Sequence, residues 1–250
     1  MKTLLQVSNL CKSYGDAQIL NDISFTVDAG EFGAIMGRSG SGKSTLLYNI
    51  SAMDNPSSGE VLLCNENICT LEDEKISEIR LKRMGFIFQH SYLLTNLSVR
   101  DNIVLPGFKA KLASREEVNE RADMLMEKTG IISVADHDIK KISGGQLQRA
   151  AICRALINQP DILFGDEPTG ALNSSASAEV MDIINDINSQ GTSVIIVTHD
   201  IKSASRADRV IFLMDGIISD QLMLGKYSDD ESESARREKN LIEWLETQGF

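Results

Sequence analysis

Positive charge is scarce in this sequence: 25 lysines and arginines face 36 aspartates and glutamates across 250 residues, a formal net charge of −11. That balance argues against a generic nucleic-acid binder, whose affinity for phosphate backbones comes from clustered Lys and Arg. It leaves room for a small local basic patch. Long apolar runs are missing as well. No stretch approaches the roughly 18 uncharged residues that a spanning helix needs, and the longest candidates, such as Val194-Ile195-Ile196-Val197, have the length of a strand. Any work at a membrane therefore needs another segment to cross it. The opening Met1-Lys2-Thr3-Leu4-Leu5 meets Gln6 and Asn9 too soon to build a signal-peptide core, so a cytosolic chain is expected. The four cysteines, Cys11, Cys64, Cys69 and Cys153, form neither a Cys-x-x-Cys pair nor a zinc pattern with histidine. They read as small buried thiols in a reducing compartment.

What is present is an ordinary globular mixture, 42% hydrophobic and 24% charged, on a chain long enough for one large α/β unit. Ile23, Phe25 and Val27 alternate with polar residues as in a half-buried strand, and Ala34-Ile35-Met36 is a short apolar run that leads into a glycine-rich loop opening a helix. Ile162-Leu163-Phe164 and Val194 to Val197 read as strands apolar on both faces, the pattern of a covered parallel sheet. A helix over about 174–189 supplies cover through Val180, Ile183, Ile184 and Ile187. From about Gln89 to Pro160 strand signals give way to helices: Ser114 to Glu117 is a capping box, Val118, Ala122, Leu125 and Met126 follow at helical spacing, and Gly130 suits the stop. Asp215-Gly216 between Val210–Met214 and Ile217-Ile218 signals a hairpin. Past about Ser228 an acidic run precedes a short amphipathic stretch with Leu241, Trp244 and Leu245, expected to dock on its own domain.

Two motifs carry chemistry. Gly37-Arg38-Ser39-Gly40-Ser41-Gly42-Lys43-Ser44, followed by Thr45, fits the phosphate-binding loop. Its glycines let successive N–H groups curl round an anion, the next helix aims its positive end there, Lys43 adds a full charge, and Ser44 offers a hydroxyl to magnesium. Downstream, the apolar strand ends in Asp166-Glu167. Adjacent carboxylates there need a balancing cation. Asp166 suits Mg2+ through water, and Glu167 suits polarising a water for attack on a γ-phosphate. A third turn, Ser143-Gly144-Gly145-Gln146, also opens a helix and suits an anion, but it has no lysine and reads as half of a site completed elsewhere.

These motifs, in this order, make the chain resemble an ATP-binding cassette (ABC) domain to about residue 225. The resemblance implies a P-loop NTPase core with an antiparallel β subdomain and an inserted helical subdomain near 90–160, all within 1–227, followed by an acidic linker and short helix over 228–250. It implies that Ile142 to Gln146 is the family signature, with Ile for the usual Leu; that Tyr14 stacks on adenine; that Gln89 reaches the magnesium and faces a membrane partner; and that His199 contacts the γ-phosphate and attacking water. Glu167, His199 and Lys43 are then the catalytic set, and Ser44, Gln89 and Asp166 the metal set. A head-to-tail dimer with a second copy is also implied. One departure is Asn173, in the stretch where the family commonly has Asp.

Within the family, Glu167-Pro168-Thr169-Gly170-Ala171-Leu172 resembles the macrolide, lipoprotein-release and bacitracin-resistance exporters, and Phe86–Gln89 with Asn102–Pro106 leans towards the peptide-antibiotic branch. The expected protein is an ATP hydrolase at the cytoplasmic face of the membrane, powering export or extraction of an amphipathic substrate through a separate permease. Two other readings compete: a regulatory ATPase transmitting force to a cell-wall enzyme, and a soluble assembly or DNA-maintenance ATPase.

Overall fold

The computed structural model describes residues 2–250. Two sheets lie at its centre. The first is antiparallel and takes β1 (Thr3–Tyr14), β2 (Ala17–Asp28), β4 (Ser58–Leu63) and β5 (Glu66–Asn67) in the order β2-β1-β4-β5. The second holds β3 (Phe32–Met36), β6 (Met84–Phe88), β7 (Ile162–Asp166), β8 (Ser193–Val197), β9 (Arg209–Met214) and β10 (Ile217–Met223) in the order β10-β9-β3-β8-β7-β6. Its pairings from β9 to β6 are parallel, and only β10 runs against its neighbour, through the Asp215-Gly216 turn. Both residues of that turn have positive φ, 47° and 79°, as a two-residue hairpin requires.

β3 and β8 are buried at every position, which is why, apart from Ser193 at the start of β8, they carry no polar side chain and do not alternate. One face of the parallel sheet, with Ile35, Phe164, Ile195 and Val197, packs with α1 (Lys43–Ile50) and the antiparallel sheet. The other face, with Ala34, Leu163, Val194 and Phe212, packs with α6 (Ser174–Ser189) through Val180, Met181, Ile184 and Ile187. A third core gathers α3 (Val99–Ala110), α4 (Arg115–Lys128) and α5 (Gly144–Leu156) around Ile103, Ala122, Met126 and Ala151. α3, α4 and α5 each begin with a Ser-led capping box, at Ser98, Ser114 and Ser143.

α2 (Asp73–Arg83) joins the antiparallel sheet to β6, and α7 (Ile201–Ala204) follows β8. α8 (Glu231–Thr247) starts inside the acidic run, with Asp230 capping the N–H groups of Ser232 and Glu233. Its Leu241 and Leu245 are buried on the core beside Phe212. Arg237, 2% exposed, donates to the carbonyls of Ser205, Ala207, Leu224, Gly225 and Lys226. Of the cysteines, only Cys153 is fully buried, its thiol pushed up to about 12 by that burial, while the other three are partly covered.

Candidate nucleotide and catalytic site

The loop from Gly37 to Gly42 leaves the end of β3 and runs straight into α1. Its shape demands glycine at two places. A Cβ on Gly37 would stand 2.1 Å from the Leu213 carbonyl oxygen, and Gly42, at φ 97°, would press one to 2.9 Å from Leu20. Gly40 is also left-handed, but open space surrounds it. The loop curls so that the Lys43 ammonium donates to its own Gly37 and Arg38 carbonyls, both at 2.8 Å. Burial lowers the Lys43 pKa, against the pull of the nearby Glu167 and Asp166 carboxylates. The Ser41 hydroxyl is buried without a hydrogen-bond partner. Arg38 turns outward instead and donates to the carbonyl of Gly249, next to α8.

β7 and β8 deliver the acidic half at the same end of the sheet. Asp166 uses both oxygens: one accepts from Ser44 Oγ at 2.9 Å, the other from Tyr48 OH at 2.7 Å. Burial and then this bond raise the Tyr48 pKa, so the phenol stays a donor. Hydroxyl and carboxylate oxygens form a hard donor set suited to Mg2+. Glu167 stands at φ 50°, in the left-handed region, with its N–H tied to the Val197 carbonyl at 2.9 Å. That twist turns its carboxylate away from Asp166 and towards His199, whose Nδ1 lies 2.8 Å from Glu167 Oε1. The imidazole itself is 69% exposed and free to meet a substrate.

Gln89 directly follows β6 and lies beside Gly170, where a Cβ would come 3.1 Å from its amide nitrogen and 3.3 Å from Glu167 Cβ. The contacts thus bring Gln89 to the Glu167 side of the site. Tyr14 is 53% exposed at the end of β1. Its hydroxyl donates to Asp54 at 2.5 Å and Lys12 Nζ sits 4.7 Å from its ring centre, so the ring is held as an open platform. Ser143, Gly144, Gly145 and Gln146 are not brought to the phosphate loop. Gly144 and Gly145 lie against Leu172 and Ala176, and Ser143 and Gly144 are exposed. Asn173 caps α6, its Oδ1 accepting from Ala176 N at 2.9 Å, a task Asn performs as well as Asp.

Two contributors escape sequence reasoning. Tyr48 meets Asp166 from 118 positions away, and nothing in the motif pattern marks it. Gln148 of α5 donates to the carbonyls of Phe88 and Pro168 at 3.0 and 2.7 Å, tying the residues flanking Gln89 and Glu167 together.

Comparison with known proteins gives the family and the fold. The ABC transporter family profile matches residues 20–170. The lipoprotein-releasing system ATP-binding protein LolD of Leptospira interrogans is 41% identical over 213 residues, covering 85% of this chain and 89% of that protein. The macrolide export ATP-binding/permease protein MacB 1 of Yersinia pestis bv. Antiqua is 41% identical over 222 residues, covering 87% of this chain. This chain spans only about a third of that relative's length, 34%. A solved dimeric ATP-binding cassette in a post-hydrolysis state, bound to ADP and Pi, superposes with a TM-score of 0.83 at 35% identity, covering 90% of this chain and all of that one.

Proposed function

The chain belongs to the ABC transporter family, and from that membership we propose that it is the ATP-hydrolysing component of an exporter-type complex, coupled to a permease. The observation that carries this reading is the meeting of Lys43, Ser44, Asp166, Glu167 and His199 at one end of the parallel sheet. In this reading the loop amides and Lys43 hold the phosphates, and Tyr14 offers its face to adenine. Ser44 and Asp166, with Gln89 alongside, would hold Mg2+, which would supply charge neutralisation for the phosphates. Glu167 orients and deprotonates the attacking water, while His199 fixes that carboxylate and reaches the γ-phosphate. The exposed Ser143–Gln146 turn closes on the nucleotide of a second copy, head to tail.

Among the described residues no helix is long and apolar enough to cross a membrane, so the reading assigns translocation to a permease and places this chain at the cytoplasmic face. The relatives are named for macrolide export, lipoprotein release and pyoverdine export. For this chain we assign an amphipathic cargo, a peptide antibiotic being the leading class. The test is purification of the tagged chain from detergent-solubilised native membranes, followed by mass spectrometry and ATPase assay. A permease at one copy per two of this chain, with turnover that responds to added peptide antibiotic, is the expected result. A chain wholly in the soluble fraction with a soluble partner would overturn the membrane reading.

A further inference from the structure

The end of α8 reaches the phosphate loop from outside the site. The Arg38 guanidinium, which belongs to the loop, donates to the Gly249 carbonyl, and a Cβ on Gly249 would stand 3.4 Å from that same guanidinium. The acceptor is held on its own account. Gln248 ends the helix and Gly249 follows at φ 74°. The Gly249 N–H donates to the Glu246 carbonyl and the Phe250 N–H returns to the Leu245 carbonyl, both at 3.1 Å. This is a complete Schellman cap, which favours glycine at its left-handed position. Side chains moor the cap to the sheet: Phe250 meets the Phe212 ring edge-on at 6.0 Å, and Gln248 and Trp244 both donate to Asp220 of β10, at 3.1 and 2.9 Å. Phe212 precedes Leu213, whose carbonyl abuts Gly37. One strand thus supports the start of the loop and the end of the helix.

Residue 38 is also where the loop keeps its lysine. The Arg38 carbonyl accepts from Lys43 Nζ at 2.8 Å and from the Ser41 N–H at 3.2 Å. When phosphate takes Lys43, that carbonyl loses its ammonium, and the side-chain tie to Gly249 becomes a larger share of what keeps the loop curled. A restraint that counts for more in the loaded loop than in the empty one favours loading. A loop already fixed in its binding shape also gives up less conformational freedom when the ligand arrives. We propose that Arg38 is a positioning residue for nucleotide binding, and that it works by hanging the phosphate loop on the C-terminal cap of α8. The proposal rests on the nucleotide reading of that loop. It makes occupancy of the loop and docking of the α8 cap reciprocal, each strengthening the other by the same factor.

The experiment titrates the full chain with Mg2+ and the non-hydrolysable ATP analogue AMP-PNP. Arg38→Ala cuts the tie from the loop side. Gly249→Val cuts it from the helix side, since a β-branched residue does not tolerate the left-handed backbone of the cap. Each should raise the Kd at least about fivefold, the low end of couplings between linked sites. The double variant should bind within about twofold of the weaker single one, because both changes remove one tie. Gly249→Asn, which accepts a left-handed backbone, should keep most of the parental affinity. The reciprocal half is read by hydrogen exchange at the Gly249 and Phe250 amides: saturating AMP-PNP should slow both in the parent chain and neither in Arg38→Ala. An unchanged Kd in Gly249→Val overturns the proposal, as does protection by AMP-PNP that persists in Arg38→Ala. Additive losses in the double variant overturn it too, and assign Arg38 a direct action of its charge on phosphate. A parent chain that does not bind AMP-PNP overturns the nucleotide reading and this proposal together, whereas binding that is lost in Lys43→Ala upholds that reading whatever Arg38 does.

Discussion

At the scale of single residues, the candidate site is a set of side chains each held in place by a neighbour. Glu167 is aimed by its left-handed backbone and by His199. Replacing it with Gln keeps the shape and removes the proposed base, so steady-state phosphate release should drop by about 10²–10⁴-fold while nucleotide binding persists. Tyr48 is the opposite case. Tyr48→Phe leaves one Asp166 oxygen without its donor at 2.7 Å, and the nucleotide-free protein should lose about 1–3 kcal/mol in a denaturant titration. Mg2+ and its waters can refill that position, so added Mg-ATP should recover most of the loss. Asp54 steadies the exposed Tyr14 ring. Burial works to raise its pKa, but hydrogen bonds from Lys12 and Tyr14 outweigh that and hold it below the ordinary value. A carboxylate whose native pKa is depressed contributes stability that is whole above its unfolded pKa of about 3.9 and fades as pH falls through the lower native value. The dependence of stability on pH below about 4 should therefore be shallower in Asp54→Asn than in the parent chain.

Among the elements, those whose pattern is set by one covered surface were legible: β3, β7 and β8 as apolar runs, α6 with its bounds, α4 with its capping box, and the β9–β10 turn. The antiparallel sheet was harder, because register shifts in β1 between Val7 and Leu10 and again near Lys12 break the alternation that would announce a strand. α2 buries only Ile76 and Ile79, too few to show a helical period. The site split along the same line. Contiguous motifs gave Lys43, Ser44, Asp166 and Glu167, whereas Tyr48 and Gln148 act on partners 118 and 60 or 20 positions distant and leave no local trace. α8 is the element most open to test. The acidic run is its first turn, where Glu231 and Glu233 complement the helix dipole. Arg237 anchors it through backbone carbonyls from three directions, with burial lowering the guanidinium pKa. Arg237→Leu should cost about 3 kcal/mol and free the helix to hydrogen exchange, and Arg237→Lys should not rescue it, since one ammonium cannot reproduce the fork.

For the whole molecule, the exposed signature turn sets up a test of the dimer reading that needs no permease. Lys43→Ala disables the phosphate loop, and Gly144→Glu puts a carboxylate where the turn would meet phosphate. Gly144 accepts a side chain, since a Cβ there meets only Leu172 at 3.9 Å. Each variant alone should be inactive as an ATPase. In a head-to-tail dimer, mixing them in equal amounts creates heterodimers with one intact composite site, so roughly a quarter of parental turnover should return. A site complete within one chain would leave the mixture silent.

The left-handed backbone at Glu167 carries a consequence beyond the reaction cycle. Holding a non-glycine residue there costs on the order of 1 kcal/mol, which glycine would avoid and asparagine would reduce. Selection for heat resistance alone would thus favour abandoning the carboxylate. In a mutant library sorted by survival at high temperature, Gly and Asn should accumulate at position 167, and the hardiest clones should be the idle ones.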